Sequence, residues 1–455
     1  MKKNDDVTLS ITGMTGEGAG VGHADGMAVF VPYTAVGDRV RAHIVKVTRS
    51  YAVGKATELL TPSADRIESD CPSFGRCGGC VYRHLSFEAE GRIKKQRVED
   101  CLRRIGGLDI GVTAFIQAEP DGYRNKAQYP VGETPEGLQI GFFAPRSHRI
   151  VEARACRLQP AVFQQALASV ERYCRDEEVS VYDERTGKGL LRHIYLRRAE
   201  NGSLMVCLVV NGAALPSEEK LVERLKEDLG GALRTVLINR NTENTNVILS
   251  PSCRVLYGDG YLFDELAGVR VRLSALSFYQ VNHDMAERLY RTAADFAGRG
   301  GLLLDLYCGA GTIGLSMADR FDRVVGVEVV PEAVEDARFN AAQNGIENAA
   351  FFCGDAYEAA CRLETEGVRP DVVVVDPPRK GLSPSLPGLI ADRFSPERIV
   401  YVSCDPATLA RDLALFAAHG YETRRVDAFN LFPRTAHVES VALLERKESG
   451  PEVSL

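Results

Sequence analysis

From about residue 275 onward, runs of β-branched and aliphatic residues recur at regular intervals, each followed by a stretch with helical spacing. The runs are "GLLLDLY", "RVVGVEV", "DVVVVD" and "IVYVSC". Continuous apolar runs fit strands buried on both faces, and their alternation with helices predicts a doubly wound, Rossmann-like parallel α/β sheet. The first 60 residues differ. There, short alternating strands are cut by Gly, Asp and Pro, which predicts a small OB-like β-barrel, with "TPSADR" as the linker after it. A helix with apolar positions Ile93, Val98, Cys101, Leu102 and Ile105 is expected over 87–104. Between 110 and 270, "RHIYLRRAENGSLMVCLVVNG" reads as a β-hairpin and "SEEKLVERLKEDLG" as an amphipathic helix, an α+β region.

A chain of 455 residues can bury two or three separate cores. The start, "MKKNDDVTLS", has no apolar segment after its lysines, and no apolar run approaches the roughly 18 residues of a membrane span. The expectation is a cytoplasmic protein with no membrane partner. Twelve cysteines are too sparse for a disulfide scaffold and, where clustered, point to metal binding or reactivity. The net charge of −7 argues against nucleic acid on average, but charge is local. Residues 39–55 carry Arg39, Arg41, Lys46, Arg49 and Lys55 with no acid among them, and residues 92–104 carry six basic residues against Glu99 and Asp100. Such stripes can track phosphates.

Four strand ends carry candidate cofactor chemistry. "LLLDLYCGAGTIGLSMA" joins a strand to a helix through glycines that let backbone approach a ligand. Glu328 ends the next strand, where a carboxylate can accept from ribose hydroxyls, and Asp355 and Asp376 end the following two. The spacing departs from the dinucleotide G-x-G-x-x-G pattern. It resembles the first motif of S-adenosylmethionine-dependent methyltransferases, as "DPPR" resembles their D/N-P-P-x motif. S-adenosyl-L-methionine is therefore the expected cofactor.

A further end, "IVYVSCDPATLARDL", puts the thiol of Cys404 between a strand and a helix, where the helix dipole favours a thiolate and Asp405 partly opposes it. A thiol beside a methyl donor suits methylation at carbon 5 of a pyrimidine. That carbon becomes nucleophilic only after a thiolate adds at carbon 6, and a base must then remove the carbon-5 proton. At this point "SCDPATLARDL", "DPPRKGL", "SFYQVN" and "FPRTAHVESVALL" resemble the motif set of RNA uracil-5-methyltransferases, in particular the bacterial 23S ribosomal RNA (uracil-5-)-methyltransferases. The resemblance implies Cys404 as nucleophile and Glu439 as the base. It implies Gln280, Tyr307, Glu328 and Asp376 as cofactor-site residues, with Thr312 and Asp355 on the same side. Asp376 stands where it serves either the cofactor or the target base.

Cys71, Cys77 and Cys80 form C-x5-C-x2-C in a glycine-rich loop, a metal-binding signal that lacks its fourth ligand. Cys156, in "IVEARACRLQP", resembles the family's distal ligand segment, and the same resemblance implies a [4Fe–4S] cluster, with four-thiolate zinc as the alternative. Radical enzymes typically use C-x3-C-x2-C and leave one iron open, so the cluster is expected to be structural. The amino-terminal barrel resembles a TRAM domain, whose Arg41 and Lys46 are expected to meet phosphates. "DGYRNKAQYPVG" offers Tyr123, Arg124 and Lys126 as further RNA contacts, and a uridine in folded RNA must flip to reach Cys404. The expected division is a TRAM-like barrel over 1–62, a central RNA-binding domain with the cluster over 63–86 and 113–270, and a methyltransferase domain over 87–112 and 271–455. The expected function is 5-methyluridine formation in 23S ribosomal RNA by a monomer. The alternatives are the T-loop of transfer RNA, or an RNA-binding ribosome-assembly factor with a disused pocket.

Overall fold

The computed structural model describes residues 1–447, so the 448–455 end of the expected methyltransferase domain lies outside the described residues. The alternating apolar runs become an eight-stranded sheet. Its order is Ala349–Cys353, Phe321–Glu328, Gly300–Leu306, Val372–Val375, Arg398–Ser403, Glu439–Arg446, Tyr421–Phe429 and Ala114–Ile116. The first five are parallel, and Glu439–Arg446 runs antiparallel between Arg398–Ser403 and Tyr421–Phe429. Chain order reverses direction on either side of Gly300–Leu306. Helices on the two sides start from this point, which opens a crevice at the carboxyl ends. Val372–Val375 is fully buried because both of its faces are covered.

The helix expected over 87–104 is Phe87–Arg104, capped by Ser86, whose Oγ accepts from Ala89 N at 3.2 Å. Its Val98 and Leu102 join the core formed by helix Pro406–Ala418 and the sheet, and burying each such side chain stabilises the contact by about 1.5–3 kcal/mol. Strand Ala114–Ile116 then adds to the far edge of the same sheet, parallel to Tyr421–Phe429. Residue 270 lies inside strand Val269–Leu273, which pairs with Leu262–Leu266; this hairpin packs on helix His283–Ala297.

The barrel holds six strands, in which Arg39–Val47 alternates so that Val40, Ala42 and Ile44 face the core and Arg39, Arg41 and Lys46 face solvent. Asp38, fully buried, accepts from Arg66 Nη2 at 2.5 Å and anchors the barrel to its linker. The central region is a seven-stranded sheet with helices Ala161–Asp176 and Glu218–Leu229 on one face. Its other face shares a core with the methyltransferase elements, and strand Leu204–Val210 is buried throughout for that reason. Among the described residues no helix is long and apolar enough to cross a membrane.

Candidate active site

A cavity of about 1960 Å³ opens at the carboxyl ends of the parallel strands. Gln280, Tyr307, Thr312, Glu328, Asp355, Asp376, Cys404 and Glu439 all line it. Tyr307 (φ 67°), Gly309 (φ 55°) and Gly311 (φ 78°) turn the chain through left-handed backbone after strand Gly300–Leu306. A Cβ at Gly311 would lie 2.9 Å from the Phe351 ring, so only glycine fits. A Cβ at Gly309 would meet nothing within 4 Å, which leaves backbone bare beside the cavity. Glu328 accepts from Gly309 N through one oxygen and from Val330 N through the other. Both oxygens retain lone pairs for a ribose. Asp355 spends Oδ1 capping the helix Ala356–Thr365 through Tyr357 N and Glu358 N. These features fit an adenosyl group: bare backbone, an anchored carboxylate and a deep acidic floor.

Cys404 and Glu439 come together through strand register. Ser403 pairs with Ser440 as the last pair of the antiparallel ladder, and Cys404 follows just past it, close enough to Glu439 to feel its charge. Glu439 is 6% exposed. Burial, reinforced by the charge of Asp376, pushes its carboxyl up to about 8, while Arg379 opposes the rise. Burial likewise pushes Asp376 up to about 7. The Cys404 thiol does not show the thiolate bias expected from its helix. Burial, then Glu439 and Asp376, raise it to about 11, against the pull of Arg379. The helix end is already occupied, since Asp405 Oδ1 accepts from Ala407 N and Thr408 N.

Three lining residues had no role assigned from sequence. Arg379, in "DPPRKG", is the cation that faces both Cys404 and Glu439. His437, in "HVES", lies 3.4 Å from Arg379 Nη2 and is pulled down to about 4 by burial and that charge, so it is neutral near pH 7. Tyr290 shares a 3.2 Å hydrogen bond with Thr312. The first two sat inside recognised motifs; Tyr290 had only helical spacing to mark it.

The thiols of Cys71, Cys77, Cys80 and Cys156 lie on two facing loops, joined by Gly78 N to Phe143 O at 3.1 Å and Ser73 Oγ to Glu152 O at 2.7 Å. Burial pushes Cys80 up to about 12 and Cys156 up to about 11, and the charges of neighbouring members of the set add to both rises. Arg83 opposes the rise at Cys80 and Arg124 that at Cys156. Among the described residues, however, no three Cys, His, Asp or Glu side chains converge closely enough to hold a metal ion. The ligand geometry expected from the C-x5-C-x2-C spacing is therefore not formed. The donor set itself, four soft ligands with two guanidiniums opposite, suits an anionic thiolate centre.

The expected RNA contacts separate into two groups. Arg41 and Lys46 are exposed on the barrel, Arg41 paired with Glu58 at 2.9 Å. Tyr123 and Arg124 are half-buried at a domain join: Tyr123 Oη donates to Pro433 O at 3.0 Å, and Arg124 Nε donates to Tyr123 Oη. Neither offers an open stacking face. Lys126 is half-buried and pulled down to about 8 by burial and by Arg197 and Arg124. The basic stripe over 92–104 also turns partly inward, since Lys94 is 1% exposed and Arg97 donates to Ala436 O.

Residues 268–447 match the family described as tRNA (Uracil-5-)-methyltransferase, and residues 2–57 match the TRAM domain. The chain is 42% identical to an uncharacterized RNA methyltransferase of Halalkalibacterium halodurans, over 98% of both chains. It is 40% identical to another from Clostridium tetani, over 98% of this chain and 97% of the relative. Among solved structures it is similar to Pyrococcus abyssi tRNA (uracil-54, C5)-methyltransferase in complex with S-adenosyl-L-homocysteine. That likeness has 26% identity and a TM-score of 0.78, covering 96% of this chain and 100% of the other.

Proposed function

Because the chain belongs to the RNA uracil-5-methyltransferase family and carries a TRAM domain, we propose that it methylates carbon 5 of a uridine through a covalent adduct on Cys404. The observation that carries this reading is that Cys404 and Glu439 line the glycine-loop cavity together, at the end of the ladder that pairs Ser403 with Ser440. S-adenosylmethionine, held by Gln280, Tyr307, Thr312, Glu328, Asp355 and Asp376, supplies the methyl group. The Cys404 sulfur adds to carbon 6 of the flipped base and makes carbon 5 nucleophilic. Arg379 favours the thiolate, being the cation that opposes the rise of its pKa. After methylation Glu439 removes the carbon-5 proton and the sulfur departs.

The substrate we assign is a uridine of 23S ribosomal RNA, on the strength of the motif resemblance. A second reading, a transfer RNA uridine, is favoured by the likeness to the Pyrococcus abyssi enzyme. That match spans 96% of this chain, so neither the barrel nor the cysteine segment separates the two targets. The exposed Arg41 and Lys46 supply phosphate contacts from the barrel, with Lys126 nearer the domain join. The thiols of Cys71, Cys77, Cys80 and Cys156 are assigned to a structural [4Fe–4S] cluster, with zinc as the alternative; iron content and visible absorption of anaerobically purified protein distinguish them. One copy suffices in the cytoplasm, because every residue invoked comes from a single chain. Mapping 5-methyluridine by mass spectrometry, with and without the protein, tests the reading and separates the two RNA targets. Cys404→Ala abolishes methylation, whereas Glu439→Gln accumulates a protein–RNA adduct on a denaturing gel. Turnover by Cys404→Ala would sink the covalent step.

A further inference from the structure

Residues 430–438 connect strand Tyr421–Phe429 to strand Glu439–Arg446 and deliver Glu439 to the cavity. Five of the nine carbonyls of this connection are held by groups from distant parts of the chain. Asn282 Nδ2 donates to Leu431 O, Tyr123 Oη to Pro433 O, and Arg97 Nη1 to Ala436 O. Val81 N and Tyr82 N both donate to Arg434 O.

At the centre of this clamp lies an ion pair on helix Phe87–Arg104, Glu90 and Lys94, 0% and 1% exposed. Lys94 Nζ has three acceptors: Glu90 Oε1 at 2.8 Å, Asn430 Oδ1 at 2.6 Å and Phe432 O at 3.0 Å. Three acceptors for three N–H groups is the coordination of an ammonium. Glu90 Oε1 also accepts from Asn430 Nδ2 at 3.0 Å and from Arg434 N at 2.9 Å. The pair therefore grips the connection at Asn430, Phe432 and Arg434. A helix that needed only to dock could do so with apolar side chains, since a buried ion pair is often no more stabilising than its hydrophobic replacement. What charge adds here is direction, because each bond fixes one named atom of the connection.

We propose that Glu90 and Lys94 are positioning residues for the catalytic base: by fixing residues 430–438 they aim Glu439 at the carbon-5 proton and so govern breakdown of the adduct. This rests on the covalent reading above. In the step concerned, the Glu439 carboxylate takes the proton from carbon 5. The electron pair of that C–H bond forms the carbon 5–carbon 6 double bond. The carbon 6–sulfur bond breaks, and its pair returns to Cys404 as thiolate. Attack by Cys404 does not pass through residues 430–438, so misplacing them slows release more than methyl transfer.

The test compares Lys94→Met with the double variant Glu90→Gln/Lys94→Met, which removes both members of the pair if the single variant folds poorly and leaves Arg434 its bond to Leu85 O. Single-turnover methyl transfer to RNA, adduct lifetime on a denaturing gel, and steady-state kcat and KM for RNA are measured for the full chain. Methyl transfer and KM are expected to stay within about twofold of wild type. Release, and with it kcat, is expected to fall by about a hundredfold, with a persistent methylated adduct. Wild-type release by the double variant, or transfer and release slowed in equal proportion, overturns the proposal. A Glu439→Gln control with no adduct on the same RNA would instead overturn the covalent reading itself.

Discussion

Glu328 holds Gly309 by its backbone, accepting Gly309 N at 3.1 Å while its second oxygen accepts Val330 N at 2.9 Å. One carboxylate thus sets the shape of the glycine loop and presents lone pairs to the cavity. Glu328→Ala is expected to weaken S-adenosylhomocysteine binding by about 1.5–3 kcal/mol, the range for hydrogen bonds to a charged group. Isothermal titration checks this, with RNA affinity as the unaffected comparison.

The pH dependence follows from the two facing groups. Glu439 is raised to about 8 and Cys404 to about 11, so both hold protons at neutral pH. With the base near 8, only about a tenth is ionised at pH 7. The ratio kcat/KM is expected to climb through pH 7–9 without an alkaline fall below pH 9. A profile already flat at pH 6 would contradict the assignment of these groups.

The same carboxyl carries a stability consequence. Its folded pKa lies above the model-peptide carboxylate range, so the folded state binds the proton more tightly than the unfolded chain. Stability from this group is fully present below about pH 4.3 and is lost as pH rises towards 8. Glu439→Gln is expected to match wild type in Tm at pH 4 and to exceed it at pH 9. The gain is about 1.4 kcal/mol for each tenfold difference in proton affinity. Thermal melts at the two pH values measure it.

Charge on the barrel is expected to act on affinity rather than chemistry. Lys46 is exposed, whereas Arg41 shares its charge with Glu58. Lys46→Ala should therefore weaken RNA binding more than Arg41→Ala and reduce the salt slope by about 1. Filter binding across a salt series reads this, and single-turnover methyl transfer at saturating RNA should be unchanged.

Local signals read most faithfully. Helix Phe87–Arg104 was legible because its apolar positions recur at helical spacing. The nucleotide-facing strand ends were legible because glycines and carboxylates mark a crevice. Strand Ala114–Ile116 was not, since three residues carry no period and their pairing partner lies some three hundred positions away. Lys94 and Arg97 read as part of a stripe able to track phosphates, because a basic helix face gives no sign of the carbonyls it will meet. The half-burial of Tyr123 and Arg124 was not legible either, since the segment before a strand gives no sign of the loop that Tyr123 Oη meets at Pro433 O.

The clamp on residues 430–438 also constrains the order in which the molecule becomes competent. Its donors at 81–97 leave the ribosome hundreds of residues before the segment they hold, and strand Ala114–Ile116 waits as long for its partner Tyr421–Phe429. Contacts of such sequence separation are slow to close. The nascent chain therefore acquires its barrel early, but its proton-removing group is set only when the last strands meet the first helix.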